Sequence, residues 1–396
     1  MTGLPLERPR SEMPPLVLAL VAMTALQALV ALALFTPGIL APVTGTYAGG
    51  IALFSAACFA VGMPAALMAG RLTRRFGAFG TAALCMLAIA AGMVVAGQRA
   101  SLALVVAGLL TGLAFGPETP ASSSLLGRIA TERQRPLVFS LRQTGNQLGA
   151  IIGSLFLPAL ALAGPSLPLM AVAAAALLAA VVYAMLERRY PTRSTGAGPD
   201  LRASFDLMRR SRTIGALALA CAPMSAMQLG LNAFLVTHLV NGLAFEHVTA
   251  GLVLGVAQAG GLAGRLGWGF VVGRFCDARR LLAGLAAGMA LFAALIALLP
   301  AQTPLPLLFP VAFAFGLTAS GWNGIFLAEI AGLSPEGRIG DVTGAVLVAS
   351  YAGLFVAPLV ISLFARFGGM RLSYLVLALL AGLAALIIAR VRNART

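Results

Sequence analysis

Gly70-Arg-Leu-Thr-Arg-Arg-Phe-Gly77 is a glycine-bounded turn carrying three arginines, and about twenty uncharged residues lie on either side of it. A second turn, Gly269-Phe-Val-Val-Gly-Arg-Phe-Cys276, stands 199 residues later in the same setting. The surrounding composition explains the setting. Of 396 residues, 60% are hydrophobic and only 10% are charged. A soluble domain of this length needs about a quarter of its residues charged to coat its core. Apolar runs of 17 to 25 residues recur along the chain, the length of a membrane-spanning helix. The fold class expected is therefore an all-α membrane protein. Twelve segments can be drawn, from 15–38 to 372–389, and the first is too long for a signal-peptide core, so it reads as a retained helix.

The net charge is +15, and all 27 basic residues are arginines. They do not gather on one soluble face as in a nucleic-acid binder. With twelve crossings, 22 of them fall at the N-terminus and in the even-numbered turns, against three (Arg99, Arg366 and Arg371) in the opposite turns. That asymmetry puts both termini in the cytoplasm. The remaining two, Arg142 and Arg265, lie within apolar segments. Cys58, Cys85, Cys221 and Cys276 form no CxxC pair and read as small hydrophobes. With His238 and His247 as the only histidines, no metal site is expected. No cofactor, nucleic acid or obligate protein partner is implied; the expected partners are a small-molecule substrate, the lipid bilayer and protons.

The one long polar connection, 187–212, divides the chain into six-segment halves, 1–186 and 213–396, with 202–210 able to form a short surface helix. The halves repeat at a nearly constant offset. Gln27 matches Gln228, the two arginine turns match, and Gly153 and Pro158 match Gly353 and Pro358. Duplicated bundles of this kind are the architecture of secondary transporters, whose repeats rock around a midplane site.

These features resemble the major facilitator superfamily over essentially the full length. The family's turn after helix two places a glycine, an acid, a basic residue and a glycine in order. Here Gly70, Arg75 and Gly77 match, but Arg74 replaces the acid. In the second copy Gly269 and Arg274 match, while Gly273 and Cys276 depart; Asp277 is the candidate for a displaced carboxylate. The resemblance implies that this turn gates one conformational state. Gly145-x3-Gly149-Ala150-x2-Gly153 partly matches an antiporter pattern without its proline. Gly264-Arg265-Leu-Gly-Trp-Gly269 is similar to helix eight of anion-carrying members. A bacterial plasma (inner) membrane location is implied with it.

Arg265 is the sharpest candidate for substrate binding, since a guanidinium keeps its charge and its fork suits a carboxylate. It is either a substrate contact or a structural arginine bonded to carbonyls. Glu118 and Glu329 interrupt apolar helices, and each reads either as a coupling proton site or as the permanent partner of an arginine. Arg142 is a partner for Glu118 across antiparallel helices. Asp341 reads as an interfacial acid at a helix N-terminus. Gln27, Gln228, Asn232 and Asn146, with Gln143, Gln147, Gln258 and Asn323, can hydrogen-bond a solute or one another. The function expected is secondary active transport of a small solute, an organic anion or carboxylate, by alternating access. A proton-coupled exporter of drugs or metabolites is the alternative on the same fold, and a non-transporting membrane sensor the alternative of another class. A phosphate-binding loop needs a lysine that this chain does not have, and no catalytic constellation stands out, so no enzyme activity is expected.

Overall fold

The computed structural model describes residues 13–44, 48–98, 100–193, 201–272, 274–301 and 303–391. Helices account for nearly all of them. Nine helical stretches among these residues are long and apolar enough to cross a membrane. In order, α1 spans Leu16–Thr44, α2 Ala48–Ala96 and α3 Ser101–Ile129. Next come α4 at Arg135–Gln143, α5 at Gly145–Ala163, α6 at Leu167–Arg189 and a short α7 at Leu201–Arg210. Then α8 runs Arg212–Leu229, followed by a π-helical stretch at Gly230–Phe234 and α9 at Leu235–Leu243. The last elements are α10 His247–Val271, α11 Ala278–Leu298, α12 Leu305–Ala319, α13 Asn323–Leu333 and α14 Ile339–Ala389.

Two helices are too long for a single crossing. The 49 residues of α2 and the 51 of α14 would each extend more than 70 Å at about 1.5 Å per residue, against a hydrocarbon core of roughly 30 Å. Both are broken by glycine. Gly77 takes φ 79° and ψ 173°, inside the arginine turn quoted above. Gly369 takes φ 66° after a non-helical Gly368. A side chain at either φ is strained, whereas glycine is not.

The break at Gly77 is held by the end of α6. The Ala78 amide donates to Thr192 Oγ1 at 2.7 Å, and that hydroxyl donates to Glu187 Oε2 at 2.6 Å. The Gly80 amide donates to Glu187 as well, at 3.3 Å. A carboxylate and a hydroxyl thus satisfy the free N–H groups of the helix that restarts here, which its dipole favours. A Cβ at Gly77 would collide with that carboxylate. Arg128 at the end of α3 closes the knot by donating to the Thr192 carbonyl at 2.6 Å.

Helices α1 to α6 pack mainly on one another, and α8 to α14 likewise. The two groups meet where α14 lies against α2 and α3, and where α4 lies against α10 and α13. These contacts concentrate at the end that carries Arg71, Arg74, Arg128, Arg135 and Arg338. There a Cβ at Gly344 would meet the Ala66 carbonyl, and one at Gly324 the backbone and hydroxyl of Ser140. Further in, Ala66, Leu347 and Tyr351 form a small buried apolar cluster with Phe115 against it. The arginine-rich end is closed.

Candidate functional site

Three breaks interrupt the helices that line the junction between the groups. One lies at Thr144 between α4 and α5, one is the π-helical stretch Gly230–Phe234, and one is Ser320–Trp322 between α12 and α13. Interrupted helices free backbone groups from the i to i−4 ladder, and π-stretches are frequent at functional sites. The amides predicted from sequence cluster on these breaks. Gln27 on α1 donates to Gln143 Oε1 beside the first. Asn323 donates to Gln228 Oε1 at 3.0 Å, joining the third break to the foot of the second. Asn232 lies inside the π-stretch and accepts from Gln258 at 3.1 Å, with Asn232 exposed. Asn146 is half-buried just past the first break. Gln27 and Gln228 occupy equivalent places in sequence, yet their partners are not equivalent. Gln27 reaches the fifth apolar segment of its own half, and Gln228 the fourth of its own.

The charged groups sit beneath these amides. Glu118 on α3 forms an ion pair with Arg142 on α4, and both are buried. Thr119 donates to the other carboxylate oxygen at 2.7 Å, and Arg142 Nη2 reaches the Thr119 hydroxyl at 3.2 Å. Arg265 on α10 is 2% exposed, and its Nη1 donates 2.7 Å to the carbonyl oxygen of Gln143. That carbonyl stands at the end of α4, next to Arg142. Arg265 therefore bridges the two groups of helices. The glycines near it serve packing more than solute space. Gly264 faces the Leu317 carbonyl and Gly269 the backbone of Leu137, whereas Gly267 alone of the three has open space beside it.

The arginine turn finds its acid on the other side of the junction. Arg74 Nη1 and Nη2 donate to the two carboxylate oxygens of Asp341 at 2.7 and 3.3 Å, a bidentate pair between α2 and α14. Their side chains are 11% and 3% exposed. Gly70 makes the pair possible, because a Cβ there would overlap the Asp341 carboxylate. Sequence reasoning left Asp341 as an interfacial acid and missed this partner. The signal available was one acid at the head of an apolar segment, opposite a turn that had lost its own. Arg75 is exposed, with its guanidinium 5.1 Å from the Phe76 ring centroid.

The second turn does not repeat this arrangement. Asp277 lies 3.7 Å from Arg280, three residues on, and both are largely exposed, so it supplies no carboxylate across the junction. Arg274 is exposed, and Gly273 lies outside the described residues. Glu329 pairs with Arg279 at 3.2 Å and is 20% exposed. Both line a groove of about 620 Å³ at the arginine-rich end, with Arg133, Arg135 and Arg274. Glu329 is thus not enclosed at membrane depth as its sequence setting suggests. His238 is buried, its Nε2 3.2 Å from the Ile296 carbonyl. Among the described residues, no group of histidines, cysteines and acids could hold a metal ion.

Solved structures share this fold. The Escherichia coli fucose:proton symporter aligns with a TM-score of 0.77 at 15% identity, over 96% of this chain and 100% of its own. A bacterial homologue of the iron transporter ferroportin, in an outward-facing state, gives 0.77 at 17% identity over 95% and 99%. A human organic anion transporter gives 0.72 at 17% identity over 95% and 100%. A search of curated protein sequences finds no match. The family model of the Major Facilitator Superfamily matches residues 16–358. This multi-pass membrane protein, built as a transporter and not as an enzyme, belongs to the Major Facilitator Superfamily.

Proposed function

We propose that the chain is a secondary active transporter that carries a small organic anion by alternating access between two six-helix bundles, 1–186 and 213–396, joined by 187–212. In this reading the breaks in α2 and α14 divide twelve crossings. The arginine asymmetry puts the closed end in the cytoplasm of a bacterial cell, both termini with it. The solute's path then opens at the opposite end, outward, as in the outward-facing ferroportin homologue and an outward structure of the fucose symporter. The observation that carries the proposal is Arg265, a permanent charge buried at the junction and bonded across it to a carbonyl at a helix break. A charge there is costly, so its presence points to function. Gln27, Gln228, Asn232 and Asn146 bind the neutral parts of the solute, and Glu118 with Arg142 forms an ion pair that holds the core of the site. The anion transporter among the structural relatives supports the class, and the fucose symporter supports proton drive.

The test is a thermal-shift screen of purified protein against mono- and dicarboxylates, amino acids, sugars and cationic dyes, followed by uptake of hits into proteoliposomes. Arg265→Lys keeps the charge and loses the fork. Stabilisation by carboxylates that weakens in this variant supports the proposal. A response confined to cationic dyes and unchanged in the variant replaces it with an exporter of lipophilic cations.

A further inference from the structure

The transporter reading leaves open how much charge the site accepts, and the buried groups answer that. Arg142 is fully buried, yet its Nε and Nη1 have no partner. Arg265 is 2% exposed, and its Nε has none either. Buried polar groups are normally satisfied, and a guanidinium cannot shed its proton to escape the cost. Among the described residues, Glu118 is the one acid in ion pairing with either arginine. Two positive charges and one negative charge leave one uncompensated positive charge enclosed at the junction. Such a charge calls for a counter-ion.

We propose that Arg142 and Arg265 form a single site for one negative charge, that of a monocarboxylate, and that Arg142 is a second substrate anchor as well as the partner of Glu118. This proposal rests on the transport function proposed above. Two forks with three unpartnered nitrogens match the in-plane lone pairs of a carboxylate. A dicarboxylate in the same place would leave the site with one excess negative charge, at a similar cost. The placement also links binding to movement. Arg142 and Glu118 come from α4 and α3, Arg265 from α10, and the Arg265–Gln143 bond spans the junction. Parting the arginine-rich end breaks that bond and uncovers both guanidiniums together.

Isothermal titration of purified protein tests this, with lactate and benzoate as monocarboxylates, succinate as the dicarboxylate, and chloride. The parent is expected to bind the monocarboxylates more tightly than succinate or chloride. Glu118→Gln combined with Arg142→Gln keeps the enclosed charge at one, on Arg265, and removes the second anchor. It should bind monocarboxylates at least about tenfold more weakly, given the usual worth of a charged hydrogen bond. Glu118→Gln alone raises the enclosed charge to two and should move preference toward succinate. Unchanged affinity in the double variant, an unchanged mono-to-dicarboxylate ratio in Glu118→Gln, or chloride binding as tightly as lactate overturns the proposal. Should these variants fail to fold, Arg142→Lys serves, and lactate affinity equal to the parent's overturns it. Failure of the transport reading looks different: the parent drives no uptake of any solute into proteoliposomes, whatever it binds.

Discussion

Neutralising Asp341 should open the arginine-rich end. The Arg74–Asp341 pair is bidentate and nearly enclosed, with side chains 11% and 3% exposed. Orphaning one member of a buried pair costs about 3–5 kcal/mol. Arg74 keeps some contact with solvent at the mouth of the junction, so about 2–3 kcal/mol falls on the closed state after that discount. The open state exposes the survivor to water and bears little of the cost. At about 1.4 kcal/mol per factor of ten, the open-to-closed ratio rises roughly 30- to 150-fold. Ser124, 8% exposed, lines the small pocket shared by Gly70, Arg74 and Asp341. In a Cys276→Ser background, Ser124→Cys is then a reporter whose maleimide labelling rate should rise by that factor in Asp341→Asn. Arg74→Gln added to Asp341→Asn removes the orphaned charge and should bring the rate back toward the parent. A labelling rate in Asp341→Asn equal to the parent's would refute the closure role. A double variant no slower than the single would refute direct pairing.

Gly70→Ala should act on the same equilibrium, since its Cβ overlaps the Asp341 carboxylate, and labelling at Ser124→Cys should accelerate in it as well. Gly77→Ala should lower thermal stability by about 1–3 kcal/mol, the cost of a left-handed φ together with displacement of Glu187, read as a fall in melting temperature. Thr192→Val removes the hydroxyl that bonds the Ala78 amide and Glu187, and should cost about 1–2 kcal/mol in the same assay. Labelling of intact cells should reach Asn241→Cys from outside and Asp206→Cys only after permeabilisation. Accessibility of both from one side would break the topology, and Asn241 is the better reporter than its neighbour Gly242, whose Cβ would press on the His238 ring.

Much of the fold was legible in the sequence because the bilayer imposes a linear rule. A spanning segment must satisfy its backbone internally and cover the hydrocarbon with apolar side chains, so runs of about twenty apolar residues mark the helices without knowledge of their neighbours. The arginine turns, the repeat at an offset near 200 and the family resemblance follow from the same one-dimensional pattern. The short helix α7 falls where residues 202–210 suggested it. Helix breaks were less legible. Thr144 and Gly230–Phe234 carry no proline, and their cost is offset by groups distant in sequence, such as the Tyr374 hydroxyl that donates 2.8 Å to the Gly230 carbonyl.

The partners of the charges depended on tertiary structure alone. Sequence indicated that Arg265, Arg142 and Glu118 are too costly to place in lipid, and suggested the pairing of the last two from depth. It could not indicate that Arg265 reaches the carbonyl of Gln143, because that oxygen belongs to the backbone and leaves no mark on residue identity. Asp341 and Arg74 lie 267 residues apart, and the displaced carboxylate that position alone suggests is Asp277, for the second turn. Packing decided otherwise. Gly70 lets α14 approach α2 until the two charges meet, whereas Asp277 stays in solvent beside Arg280. Hydropathy is a property of each residue in a known solvent and can be read along the chain. An ion pair is a property of two places in space, and only the fold brings them together.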